Sequence, residues 1–340
     1  MAKEIWLWMK EMAGKAFGGL GRWLKRLWRY LTGWLSTISG STWRKVAVAV
    51  PVVFFFYILI GMMVVHRVDD SLDGVPSAAP GGSQVVTTVS YLVKREVVDH
   101  NWTPNDPFFQ PGWWIDNTPN YQKGMMGALA RFSFELRDQL GRTRGSSAVD
   151  ENLQKAAGDL SKEPDRWVID FSTSFLPTTP SHTYYKEAIK ELNAYNARLV
   201  AGEAVFERRS DNFLATLDRI ALDLGASSAA LEQYVGENAG GVLPDFGADD
   251  LFYQVKGQVY GYLMILKALR QDFPNVIEDR ELGALYDELI ASMAAAATLD
   301  PVLVTNGAAD GFAANHLSVQ GFYLLRARTQ LREVSNILLK

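Results

Sequence analysis

A chain of 340 residues that is 48% hydrophobic and 12% aromatic can bury a sizeable core, and its lack of cysteine excludes a catalytic thiol, an Fe–S cluster, a Cys-ligated zinc and any disulfide. The net charge of −4 is unevenly spread: residues 1–45 hold nine Lys or Arg against Glu4 and Glu11, which is +7 and leaves −11 for the rest. So acidic a body lacks the clustered Lys and Arg that phosphates require, and no nucleic-acid partner is expected.

In chain order, the first feature is a basic amphipathic stretch at residues 20–35. At 100° per residue Arg22, Lys25, Arg26 and Arg29 share one face. Leu20, Leu24, Leu27, Leu31 and Leu35 face away from them, with Trp23, Trp28 and Trp34 toward that side. Such a helix lies in the headgroup plane of an anionic leaflet, so these seven basic and tryptophan residues are the expected membrane-surface set. Docking on a protein partner is the alternative.

Val46–Val65 carries twenty residues and no charge. At roughly 1.5 Å per residue it spans about 30 Å, the thickness of a bilayer core. Pro51 falls early in the run, where a spanning helix tolerates it. The apolar run is too long and too far from the start for a cleaved signal peptide. Arg44 and Lys45 precede it, and Asp69, Asp70 and Asp73 follow. The excess of Lys and Arg before the span places the N-terminus in the cytoplasm and the bulk on the far side of the membrane. The expected division is therefore 1–45 cytoplasmic, 46–66 transmembrane, 67–84 a Gly-, Pro- and Ser-rich linker, and 85–340 a helical domain.

A helix is expected from Val85 to about Val98, although its β-branched content leaves a strand open. Residues 99–120 (DHNWTPNDPFFQPGWWIDNTPN) are the anomaly. Four prolines and four asparagines break long helix, yet the stretch holds Trp102, Phe108, Phe109, Trp113 and Trp114. Rings on a loop either pack on the core or bind something. Packing is the plainer reading. A ligand platform would use Trp102, Trp113, Trp114 and Asp116.

Thr118-Pro119 marks a helix start, with Thr118 as cap and apolar residues from Tyr121 to Leu140 at helical spacing. A short helix near Ala148–Leu160 is expected, capped by Ser147. Trp167–Phe171 is extended or a short helix. From Thr183 onward Tyr185, Leu192, Leu199, Phe206, Phe213 and Ile220 recur every seven residues. They specify one long helix or two that meet near Gly202. Phe252, Val255, Val259, Tyr262, Leu266, Leu269 and Phe273 form an a/d pattern that Pro274 stops. Leu282–Met293 and a last helix with Leu317, Leu324, Leu331 and Leu338 complete the list. The fold class is mainly α: a single N-terminal transmembrane helix followed by a helical-bundle domain with long amphipathic helices.

No chemistry stands out. None of His66, His100, His182 and His316 lies three or four residues from another, so no metal site is expected. No nucleotide loop or nucleophile elbow appears, and no cofactor is expected. Glu135, Asp138, Glu187, Glu191, Glu203 and Asp310 could serve acid–base chemistry, but all read equally as solvated helix faces, and no catalytic residue is assigned.

The stretches NTPNYQKGMMGALARFSFELRDQLGRTRGSS (Asn117–Ser147) and RWVIDFSTSFLPTTPSHTYYKEAIKELN (Arg166–Asn193) resemble a bacterial inner-membrane family catalogued only as a domain of unknown function. The resemblance covers most of the chain after the anchor. It implies a bacterial origin and an envelope location, and it brings no activity or site residue. The reading that results is an envelope scaffold or accessory protein, with the anionic inner leaflet and a protein partner or second copy as its contacts. The alternative is a cell-wall glycan- or peptide-binding module, extending to a two-carboxylate hydrolase.

Overall fold

The computed structural model describes residues 40–142, 149–170, 176–238, 245–308 and 314–340, together with Lys25 and Arg29. The chain divides into two units, Met1–Tyr57 and Ile58–Lys340. Among the described residues there are ten α-helices and no strand beyond the single bridge Asn306–Asn315.

The uncharged run folds as α1 (Gly40–Val65), and its Thr42–Val65 portion is long and apolar enough to cross a membrane. Pro51 sits within it. Of the expected membrane-surface residues, Lys25 and Arg29 are helical and exposed; Arg22, Trp23, Arg26, Trp28 and Trp34 lie outside the described residues.

The β-branched run resolves to helix α2 (Gln84–Lys94), which widens into a π-turn at Arg95–Asp99. Its start is tied across the fold. Ser83 caps it, and the buried Asp272 carboxylate accepts from the Ser83 hydroxyl (2.8 Å) and from the Gln84 and Val85 amides (2.9 and 2.8 Å). One acid thus satisfies donors that the first turn leaves unpaired.

Helix α3 (Asn117–Glu135) begins earlier than Thr118 would set it. Asp116 is the cap, and the Thr118 hydroxyl instead accepts from the Arg67 amide at 3.0 Å. Asp150, not Ser147, caps α4 (Glu151–Leu160) by accepting from Asn152 and Leu153; Ser147 lies outside the described residues. Trp167–Asp170 is irregular, and Phe171 is outside.

The sevenfold row belongs to two helices, α5 (Ser181–Ala201) and α6 (Ser210–Asn238). Gly202 ends α5 with φ +75, a left-handed conformation that costs glycine little. Phe206 lies between the helices but is still buried, so the row survives the turn. Then come α7 (Phe246–Asp272), the short α8 (Pro274–Asp279), α9 (Gly283–Ala297) and α10 (His316–Leu338). Pro274 both stops α7 and opens α8.

The centre of the domain is the pair α3 and α7. Their backbones approach closely because Gly124 faces the Gln254 carbonyl and Gly257 faces the Tyr121 carbonyl. Helices α2 and α5 pack on one side; α6, α9 and α10 pack on another. Phe213 stacks on Phe273 (4.6 Å between centroids) and beside Tyr286, joining α6 to α7 and α9. The leucine row of α10 is buried, as is the a/d row of α7. Both seams are therefore satisfied within one chain.

Candidate functional site

The segment 67–84 has the composition of a tether, yet it runs along the domain as a strap. Backbone carbonyls are the handles. Arg95 Nη2 and the Tyr121 hydroxyl both donate to the Asp69 carbonyl, at 2.9 and 2.6 Å. The Tyr260 hydroxyl donates to the Ser71 carbonyl and Lys267 Nζ to the Leu72 carbonyl, each at 2.7 Å. Val68, Leu72 and Val75 pack against the core. The linker expectation took Gly, Pro and Ser as freedom, whereas unpaired backbone carbonyls are strong acceptors for whatever donors the domain presents.

Those donors form a buried charged clasp. Glu96 is fully buried and Arg95 nearly so. Arg95 Nε donates to Glu96 Oε1 at 2.8 Å, and Nη1 donates to the Tyr260 hydroxyl at 2.8 Å. Gln122 Nε2 reaches the second Glu96 oxygen at 3.1 Å. His100 lies between Glu96 and Asp69. Lys256, also fully buried, pairs with Asp70 at 2.8 Å and donates to the Leu299 carbonyl at 2.7 Å. Burial works against the Arg95 charge, but Glu96, with the neighbouring tyrosines and Asp69, holds the guanidinium above its ordinary range. Burial also pushes Asp69 up, and the Ser71 hydroxyl and Arg95 outweigh it, so the carboxyl sits below its usual value. Sequence reasoning passed over this cluster. The available signal was charge inside apolar runs: Arg95-Glu96 between valines, and Lys256 within the a/d pattern of α7.

Beside the clasp lies the aromatic loop. Thr103 donates through its amide and hydroxyl to Gln122 Oε1, which ties the loop to Glu96 through one glutamine. Trp102 is a core residue: its ring meets Tyr185 edge-on at 4.9 Å and its Nε1 donates to the Pro164 carbonyl. The packing expectation therefore holds for Trp102 and fails for the others. Trp113 is 55% exposed, Trp114 49%, Phe108 63% and Phe109 40%. These rings contact each other instead: Trp113 meets Trp114 at 5.0 Å, Phe108 meets Phe109 at 5.4 Å, and Phe109 meets Trp167 at 5.7 Å. The loop is built rather than slack. Trp114 Nε1 donates to the Phe108 carbonyl, and Asp106 accepts from the Gly112 amide. Burial raises the Asp106 carboxyl to about 6. A polar cleft of about 320 Å³ opens behind the loop, lined by Val65, Asn105, Asp106, Gln110, His182 and Lys186 among others.

Asp116 is exposed and stands apart from Trp102, capping α3. It shares its end of the domain with Asp249 and Asp250 from the first turn of α7. Oriented with its nitrogen toward the acids, the Asn117 amide donates to Asp249 (2.7 Å) and Asp116 (2.9 Å). Burial and then the neighbouring Asp116 and Asp250 push Asp249 up to about 6. The folded state thus binds this proton more tightly than an unfolded chain with the ordinary value of 3.8. The stabilisation appears as pH falls through 6 and is complete below 3.8. Asp249→Asn is expected to raise stability at neutral pH by up to about 1 kcal/mol, the full shift being discounted for a half-exposed group. It should also reduce the dependence of the urea midpoint on pH between these values, leaving the part that Asp106 and the other raised carboxyls contribute. An unchanged slope would remove Asp249 as its source.

The other acids considered from sequence occupy ordinary pairs. Arg137 forks onto Asp138, Lys190 holds Glu187, Asn152 donates to Glu191, Arg219 lies 3.9 Å from Glu135, and Glu203 is exposed. Asp310 lies outside the described residues. Among the described residues no group of three His, Asp or Glu could hold a metal ion.

A second surface lies between α6 and α10. Leu231 and Leu317 floor a groove of about 340 Å³, Val235, Phe322 and Leu325 line it, and Glu232 and Arg328 add charge. Phe322 is 63% exposed and Leu325 55%, on the face of α10 that its buried leucine row leaves outward.

Comparison with known proteins gives one family. The model described as "Uncharacterized protein conserved in bacteria (DUF2333)" matches residues 71–241 and 244–340, and the chain belongs to that family. No curated protein and no solved structure matches it. The matched stretch starts within the strap and spans the positions from Arg95 onward that form the clasp and both surfaces.

Proposed function

Taking membership of that bacterial family as the premise, we propose that the protein is a single-pass scaffold of the cell envelope. In this reading α1 crosses the inner membrane with its N-terminus in the cytoplasm, the basic stretch before it lies on the anionic leaflet, and the helical domain stands in the periplasm. The clasp ties the segment that follows α1 to the domain through the Asp69, Ser71 and Leu72 carbonyls. The observation that carries the scaffold role is the α6–α10 groove, an apolar trough between two helices with charged residues beside it. Its form suits an amphipathic helix of a protein partner, with anchors at helical spacing.

A photoreactive residue placed at Phe322 or Leu325 in cells tests this. Protein adducts that vanish in a Leu231→Asp groove variant are the expected result. Phe322 and Leu325 probes that capture no protein while the domain is folded would overturn the scaffold role. A reporter fused after Lys340 and active only in the cytoplasm would overturn the topology. The glycan-platform reading has one observation in its favour, the outward Trp113–Trp114 pair.

A further inference from the structure

Four large rings held outward on a structured loop need an environment, because exposed apolar clusters of this kind mark contact surfaces. Their position relative to α1 identifies it. Pro111, which opens the 3-10 turn carrying Trp113 and Trp114, seats on Gly61 of α1. A Cβ at position 61 would overlap the proline ring, so glycine is what lets the loop reach the helix. Gly61 lies four residues before the helix ends at Val65, roughly 6 Å along its axis. The loop therefore sits alongside the last apolar turn of the helix rather than beyond it. Val65 itself lines the cleft together with Gln110 and Pro111. Val168 and Ile169, which follow Trp167 in the chain, are exposed as well.

We propose that Phe108, Phe109, Trp113 and Trp114 enter the headgroup layer of the leaflet from which α1 emerges, giving the domain a second, aromatic foot on the lipid surface. The proposal rests on the reading of α1 as a membrane span. Tryptophan favours this layer because its large ring is apolar while its indole N–H stays near polar groups.

The absence of native cysteine makes the test direct. Full-length Trp113→Cys and Phe55→Cys variants are labelled with bimane and reconstituted into phosphatidylethanolamine–phosphatidylglycerol vesicles doped with nitroxide lipids. The expected result is loss of emission at both sites, with a headgroup nitroxide the stronger quencher at position 113 and a deep-chain nitroxide the stronger at position 55. Quenching at position 55 alone would overturn the aromatic foot and leave the membrane span standing. If lipid quenchers leave position 113 untouched while added cell-wall fragments change its emission, the loop belongs to glycan instead. Quenching at neither site would overturn the span and the foot together.

Discussion

Glu96→Ala is expected to destabilise the domain by about 3–5 kcal/mol, the cost of leaving a buried cation without its partner. Glu96 is completely buried and engages Arg95 and Gln122 directly, and Arg95 in turn holds the Asp69 carbonyl and the Tyr260 hydroxyl. Removing the carboxylate strands the guanidinium in a site from which water is largely excluded. Replacing Arg95 and Glu96 together by Met and Leu should cost much less than the sum of the single changes, because the two buried charges then go together and only the part-exposed Asp69 loses its cation. The strap should respond locally as well. Faster amide exchange at Ser71 and Leu72 in Glu96→Ala, read by mass spectrometry, is expected before global unfolding. Urea unfolding of the full chain in detergent provides the energies. A single-variant cost below about 1 kcal/mol would mean that the pair is solvated and the clasp is not a structural unit.

The second large effect is one of sign. An exposed glycine within a helix is ordinarily improved by alanine, by up to about 1 kcal/mol. Gly127, in α3 with open space around it, should follow that rule. Gly124 and Gly257 should break it. The Cβ added at either would overlap a backbone carbonyl of the facing helix, Gln254 for the first and Tyr121 for the second. Backbone cannot rotate out of the way as a side chain can, so α3 and α7 must separate along their whole shared face. Each alanine variant is expected to lose about 1–3 kcal/mol, and the valine variants more. Thermal unfolding of Gly127→Ala beside Gly257→Ala tests this. Similar gains in both would mean that the two helices are not packed backbone to backbone.

The helical inventory was legible because burial has a period. The rows from Tyr185 to Ile220 and from Phe252 to Phe273 are buried along their length, and a helical bundle follows from them. Helix ends were read less well. Thr118 looked like a cap because of the proline after it, but Asp116 offered the better acceptor and Thr118 was drawn to Arg67. The strap was misread because composition reports chain stiffness and says nothing of the donors waiting elsewhere in the fold. The clasp is joined by residues far apart in sequence, such as Tyr260 with Ser71, which no local pattern encodes. The candidate site was half legible. Aromatic residues in a helix-breaking segment flagged the loop, while the division between buried Trp102 and outward Trp113 and Trp114 depends on Tyr185 and Pro164, which supply a seat for only one ring. The heptad seams that suggested a partner are consumed inside the chain. The opposite face of α10 stays outward, with Phe322 and Leu325 exposed.

The measurement that tests the central claim most directly uses the cysteine-free chain. With cysteines at Gly61 and Pro111, oxidation in native membranes should join the end of α1 to the loop rapidly and without denaturant, as seen by proteolysis between the two positions followed by reducing and non-reducing gels. A Gly61–Phe322 pair should stay unjoined. If Gly61 and Pro111 do not join, or both pairs join equally slowly, then the domain hangs from its helix on a loose tether, and the seated scaffold described above is contradicted.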